Sequence, residues 1–198
     1  MDKSASTKMN LNALLKKRWS PRAFSEKIPT NEDIGTILDA ARWSASCNNE
    51  QPWRFLVGIK NKNEFYQNII DVLVEGNQVW TKSASVLILL YAKKTFSRND
   101  KPNNWAEYDT GQAAAHMSIQ AMDLDIYVHQ MAGFDPVAAS KLIASEEDLV
   151  PMAAMALGYL GNPEQLPDGL KKAEQSERKR KNLDEIVLNG SFAILEAF

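Results

Sequence analysis

The stretch Val86-Leu87-Ile88-Leu89-Leu90-Tyr91-Ala92 decides the fold, because it has no polar side to turn toward water. A strand with one wet face alternates apolar and polar residues, whereas an unbroken apolar run bounded by polar residues describes a strand buried on both faces. It is also far shorter than the roughly 20 residues a membrane-crossing helix needs. A strand over residues 85–91 therefore sits inside a layered body.

The polar stretch 93–104 that follows predicts a loop or lid edge. A long helix is expected from Trp105 or Ala106 to about Leu124, with Ala113, Ala114, Met117, Ala121 and Met122 as its apolar set. So many alanines permit close approach of a helix or a cofactor. Residues 127–130 read as extended, Gly133 as a turn, and Asp135-Pro136 as an N-cap with proline at the first helical position. Ala153–Gly158 reads as another strand, and residues 161–169 as connecting loop. The chain from Lys171 to Lys181 is strongly basic.

On the other side, Arg54–Ile59 reads as a strand, preceded by the polar turn 44–52. A helix over about 62–75 would bury Phe65, Ile69, Ile70 and Leu73. Another starts at Thr30, whose hydroxyl and Asp33 three places on make an acidic capping box. Ile34, Ile37, Leu38 and Ala41 form its inner face. A first helix carrying Leu11, Leu14 and Leu15, capped by Asn10 or Asn12, should stop near Ser20 because Pro21 restricts the residue before it. Residues 1–10 are expected to be a flexible arm and 11–198 one domain. Strands mixed with helices in this order predict an α+β layer fold.

The 198 residues are 44% apolar and 24% charged, ordinary values for a chain with a real core, and the net charge of −2 gives no reason to expect a nucleic-acid partner. Cys47 stands alone, so no internal disulfide forms, and a reducing, cytoplasmic setting is expected. No leader pattern or membrane helix is evident. His116 and His129 fall in different elements and with Cys47 make no metal-ligand spacing, so no metal is expected. His116 is expected to be a packed or hydrogen-bonded helix residue.

Four places carry candidate chemistry. Arg18-Trp19-Ser20-Pro21-Arg22 sets two guanidinium groups around a hydroxyl, a pattern that suits a phosphate and equally describes two surface arginines. Ser44-Ala45-Ser46-Cys47-Asn48-Asn49-Glu50-Gln51-Pro52-Trp53 offers short polar groups to the edge of a heterocycle, or is an Asn-rich turn before a strand whose Trp53 is core. Ala132-Gly133 lets a backbone N–H approach a ligand, or is a turn before a helix that Asp135 caps. Arg178-Lys179-Arg180-Lys181 is a solvated charge run or the far wall of an anion site.

In order and spacing these segments resemble the nitroreductase family of FMN flavoproteins. RWSPRAF matches the family's Arg-x-Ser-x-Arg-x-Phe segment, and SASCNNEQPWRF its Pro-Ser-Ser-x-Asn-x-Gln-Pro-Trp segment. DTGQA at 109–113, AGFD at 132–135, ALGYLG at 156–161 and RKNLDEIV at 180–187 follow in the same order. The resemblance implies a central, mainly antiparallel sheet flanked by helices in an intertwined homodimer, with an FMN at each subunit interface and NAD(P)H as reducing cosubstrate. It implies that Arg18, Ser20 and Arg22 hold the FMN phosphate and ribityl chain, with Arg180 closing the site and Lys181 helping. Ser46 and Asn49 would reach the flavin across the interface, and the backbone at Ala132 and Gly133 would approach flavin N5. Phe192, Ile194, Leu195 and Phe198 would lie in a tail embracing the partner. No side-chain general acid or base is implied.

The implied reaction is ping-pong hydride transfer to nitroaromatics, quinones or related electrophiles, or to a specialised activated double bond; a flavin-binding regulator or carrier is the alternative. The chain departs from the family pattern at Ala45, Cys47, His116, Asp125 and Ala132.

Overall fold

The computed structural model describes residues 3–143 and 148–187. Its elements in chain order are α1 (Ala13–Lys17), α2 (Asn31–Arg42), β1 (Trp53–Ile59), α3 (Phe65–Val72), α4 (Glu75–Thr81), β2 (Val86–Lys93), α5 (Ala106–Asp123), β3 (Tyr127–Met131), α6 (Pro136–Lys141), β4 (Leu149–Gly158), α7 (Asp168–Gln175) and α8 (Leu183–Ile186). The four strands form one sheet in the order β1-β2-β4-β3, antiparallel throughout.

β2 is central and apolar from Val86 to Ala92 because helices cover both faces of the sheet. Leu87, Leu89 and Tyr91 join a core with Tyr66, Ile69 and Ile70 of α3, Trp80 of α4 and Ala139 of α6. Val86, Ile88 and Leu90 point the opposite way, into Ile34, Ile37 and Ala41 of α2 and Ala113, Ala114 and Met117 of α5. Each of these large apolar side chains contributes about 1.5–3 kcal/mol by leaving water. The α+β layers expected from the sequence are those observed, and Trp53 is core, 6% exposed.

The local signals act as expected at several ends. Thr30 and Asp33 form the reciprocal capping box of α2, and Asn12 rather than Asn10 caps α1. Asp135 accepts from Val137 and Ala138 N–H at the start of α6. At the end of α5, Ile126 N–H reaches Ala121 O at 2.8 Å and Asp125 N–H reaches Met122 O at 3.2 Å, a Schellman closure. That closure puts Asp125 at φ 57, which explains a glycine preference there.

Other expectations need correction. The helix expected over 62–75 is two helices, α3 and α4. Leu73 and Val74 leave helical geometry because Val74 N–H bonds to Gly133 O and Asp135 N–H to Val72 O; tertiary pairing overrides helix propensity. Tyr66 takes the inner position there, while Phe65 is 37% exposed. β4 starts four residues earlier than expected, at Leu149. Pro151 fits because β3 pairs only from Ala154 onward and a bulge interrupts the register with β2 beside it. α7 starts at Asp168, inside the stretch 161–169 expected to be connecting loop, and runs into the stretch read only as basic from Lys171. His116 is exposed rather than packed.

Candidate functional site

α1 runs only from Ala13 to Lys17, leaving out Leu11 and stopping short of Ser20, and the chain leaves it at Arg18 in extended geometry (φ −60, ψ 128). Three contacts fix the segment that follows. Buried Glu174 of α7, 2% exposed, accepts from Arg22 N–H at 2.9 and 3.0 Å and from Ala23 N–H at 3.1 Å. His129 of β3 donates through Nδ1 to Pro21 O at 2.8 Å, and its ring lies 4.6 Å from that of Trp80. Phe24 bridges to Leu160, so closely that a Cβ on Gly161 would come within 2.4 Å of Phe24 backbone; glycine is required there. Burial lowers His129 to a pKa of about 4, against the opposing pull of its bond to Pro21.

The result is a cleft of about 270 Å³ lined by Lys3, Arg18, Trp19, Ser20, Arg22, Glu174, Arg178 and Arg180, among others. Arg18 donates weakly to Ser20 Oγ at 3.4 Å. Among the described residues, none of Arg18, Arg22, Arg178 and Arg180 makes a salt bridge. Burial, then the charges of Arg178 and Arg180, push the Arg18 guanidinium below its usual pKa. Glu174 and Glu177 also line the cleft, but among the described residues neither forms an ion pair with these arginines, so the guanidinium groups stay available to an incoming anion. The segments 18–22 and 178–180, far apart in sequence, line the same cleft. Arg178 joins the cleft, whereas Lys181 is exposed and does not line it.

Ser46 and Asn49 lie elsewhere. Their loop contains three residues in left-handed geometry: Asn48 (φ 54), Asn49 (φ 56) and Gln51 (φ 53). Such strain persists only when surroundings over-determine it, and it concentrates at binding sites. Here Cys47 N–H bonds to buried Asp109 of α5 at 2.9 Å, Gln51 N–H to Ser46 Oγ at 3.0 Å, and Glu50 to both the N–H and the hydroxyl of Ser97. The Glu50 contact ties the loop to the turn closed by Thr95 and Pro102. Asn49 is exposed and Ser46 half-buried.

Three exposed aromatic side chains flank the loop in sequence or through α5. Trp105 and Tyr108, 58% and 66% exposed, share a face of the first turns of α5, and Trp43 after α2 is 76% exposed. Trp43 also lines a groove of about 640 Å³ with Leu14, His116 and Ile119. This groove is larger than the basic cleft but is walled mainly by carbon and lacks a converging set of cations.

Gly133 follows β3. A Cβ there would approach Asn77 Nδ2 to 2.6 Å and Val74 Cγ2 to 2.9 Å, and its carbonyl accepts from both Val74 N–H and Asn77 Nδ2. The glycine therefore serves α4 packing, and Ala132 beside it is exposed. Sequence reasoning missed Glu174 and Lys3 as parts of the site. A glutamate in a Lys-rich helix reads as surface, and no local pattern marks Lys3.

The sequence matches the nitroreductase family over residues 15–73. A crystal structure described as that of an oxidoreductase containing FMN superposes with a TM-score of 0.87 at 32% identity, over 95% of this chain and 96% of that one. A nitroreductase family protein from Clostridium difficile 630 shares the fold, with a TM-score of 0.68 at 24% identity over 90% of this chain and 97% of its own. The major NAD(P)H-flavin oxidoreductase of Aliivibrio fischeri is 32% identical over 91 residues, 45% of this chain and 39% of that protein.

Proposed function

Since the chain belongs to the nitroreductase family, we propose that it is an FMN-dependent NAD(P)H oxidoreductase. It reduces nitroaromatic, quinone or related electrophilic acceptors, and it works as a homodimer with a flavin at each interface. The observation that carries this reading is the cleft that Arg18, Ser20, Arg22, Arg178 and Arg180 line together, none of the arginines making a salt bridge among the described residues. A phosphate monoester, with two negative charges and several acceptor oxygens, fits that donor set.

In this reading Arg18 and Arg22 anchor the phosphate, Ser20 donates its hydroxyl, and Arg180 closes the cleft, with Lys181 adding positive field from the rim. Glu174 and His129 do not bind the ligand; they hold the backbone that presents Ser20 and Arg22. The strained loop offers Ser46 and Asn49 to the flavin of the partner subunit. The exposed rings of Trp105 and Tyr108 at the start of α5, together with Trp43 just before the strained loop, are apolar groups the partner subunit would cover. Ala132 and Gly133 would contribute backbone rather than side chains, so the departure from the family pattern at Ala132 leaves that contact intact. Bound there, FMN would supply the redox chemistry linking NAD(P)H oxidation to reduction of the acceptor in separate half-reactions. The protein excludes water and fixes orientation, so no general acid or base is assigned.

Steady-state kinetics test the proposal. NADH or NADPH oxidation with menadione or a nitroaromatic should require FMN and give parallel double-reciprocal lines. Tight FMN binding without turnover would leave a flavin carrier instead.

A further inference from the structure

Lys3 and its neighbours pack on the basic cleft in a way the proposed function does not use. Arg178 spends one guanidinium nitrogen on two carbonyls, Lys3 O at 2.7 Å and Lys16 O at 3.0 Å. Ala5 N–H bonds to the same Lys16 O at 2.9 Å. Residues 3–5 are thereby strapped along the end of α1. The Lys3 ammonium lies 5.4 Å from the centroid of Trp19 and donates to Ser176 O, and both Trp19 and Ser176 line the cleft with Lys3 itself. A lysine ammonium has three protons to donate, so the bond to Ser176 leaves capacity for an anion.

We propose that residues 3–5 are part of the anion site: Lys3 supplies a further cation to the phosphate, and Arg178 is the clasp that positions Lys3. The proposal rests on the phosphate reading of the cleft and divides its cations by role. Arg18, Arg22 and Arg180 face the ligand. Arg178, oriented by two backbone carbonyls, acts through the strap. Arg178→Lys keeps the charge but replaces the rigid guanidinium, which places one nitrogen between the two carbonyls, with a shorter, flexible stem.

The test uses the full chain stripped of flavin, with Lys3→Ala, Arg178→Lys and the double variant. FMN and riboflavin affinities are measured by fluorescence titration, and the melting shift caused by inorganic phosphate is recorded separately. Lys3→Ala should weaken FMN binding about three- to tenfold, as the loss of one charge-assisted contact would, while riboflavin binding stays put. Arg178→Lys should act in the same direction, and the double variant should bind no more weakly than the weaker single variant. Unchanged FMN affinity in Lys3→Ala, an equal loss toward riboflavin, or fully additive losses in the double variant would overturn the strap. If the wild-type chain binds neither flavin, the functional reading fails. The phosphate shift then decides the strap: a larger shift in wild type than in Lys3→Ala supports it, and equal shifts refute it.

Discussion

Replacing Glu174 by alanine sets two effects against each other at the basic cleft. Charge alone predicts tighter anion binding, because a carboxylate leaves a site lined by arginines. The geometry predicts the reverse. Glu174 holds Arg22 N–H at 2.9 and 3.0 Å and Ala23 N–H at 3.1 Å, while only 2% exposed. Its removal orphans two backbone donors, each worth about 1–3 kcal/mol when left unpaired in the interior. Water entering the gap recovers part of this, so a total near 3 kcal/mol is expected. The segment that presents Ser20 and Arg22 would then have to be ordered by the ligand itself. We expect FMN affinity to fall about tenfold, or 1.4 kcal/mol, despite the more positive cleft. Glu174→Gln, which keeps one acceptor oxygen, should fall between. Urea unfolding gives the stability and fluorescence titration the affinity. Tighter FMN binding with unchanged stability would refute the reasoning and reduce Glu174 to a screening charge.

Arg18→Met should weaken FMN by about 10–100-fold and riboflavin far less, as removal of a charged phosphate contact predicts; equal losses in parallel titrations would place the phosphate elsewhere. His129 is held neutral, its pKa lowered to about 4, so between that pH and 6.5 the unfolded chain binds the extra proton. Its contribution is therefore fully present above pH 6.5 and is lost as pH falls toward 4, by roughly 3 kcal/mol. Urea midpoints across this range should fall with pH in the wild type and flatten in His129→Gln. Asp125→Ala should destabilise by about 1 kcal/mol because residue 125 sits at φ 57, whereas Asp125→Gly should cost less; equal thermal shifts would deny strain at that turn. Tyr108→Asp should shift the species seen in sedimentation toward monomer and lower FMN affinity with it; an unaltered sedimentation profile would remove Tyr108 from the interface.

Much of the fold was legible where local chemistry and tertiary structure agree. VLILLYA needs two covering layers and has them. Thr30 with Asp33, and Asp135 with Pro136, fix helix starts through bonds made within four residues. Arg18, Ser20 and Arg22 were legible as a candidate set because two guanidinium groups flank a hydroxyl where the first helix was expected to end. The break between α3 and α4 was not, since it depends on Gly133 and Asp135, about sixty residues away, capturing the backbone of residues 72–74. Nor was α7, whose sequence DGLKKAEQ offers only Leu170 and Ala173 as apolar residues and whose buried member is a glutamate. Lys3 entered the site only through Arg178, at the other end of the chain. The terminal apolar residues Phe192, Ile194, Leu195 and Phe198 lie outside the described residues.

The central claim is that the cleft around Arg18 and Ser20 holds a flavin by its phosphate. Titration of the flavin-free protein with FMN and with riboflavin, side by side, tests it most directly. The account predicts sub-micromolar FMN binding, with riboflavin weaker by two orders of magnitude or more and the FMN advantage shrinking as salt rises, since a charged contact is screened. Equal affinity for the two flavins, or no binding of either, would contradict it.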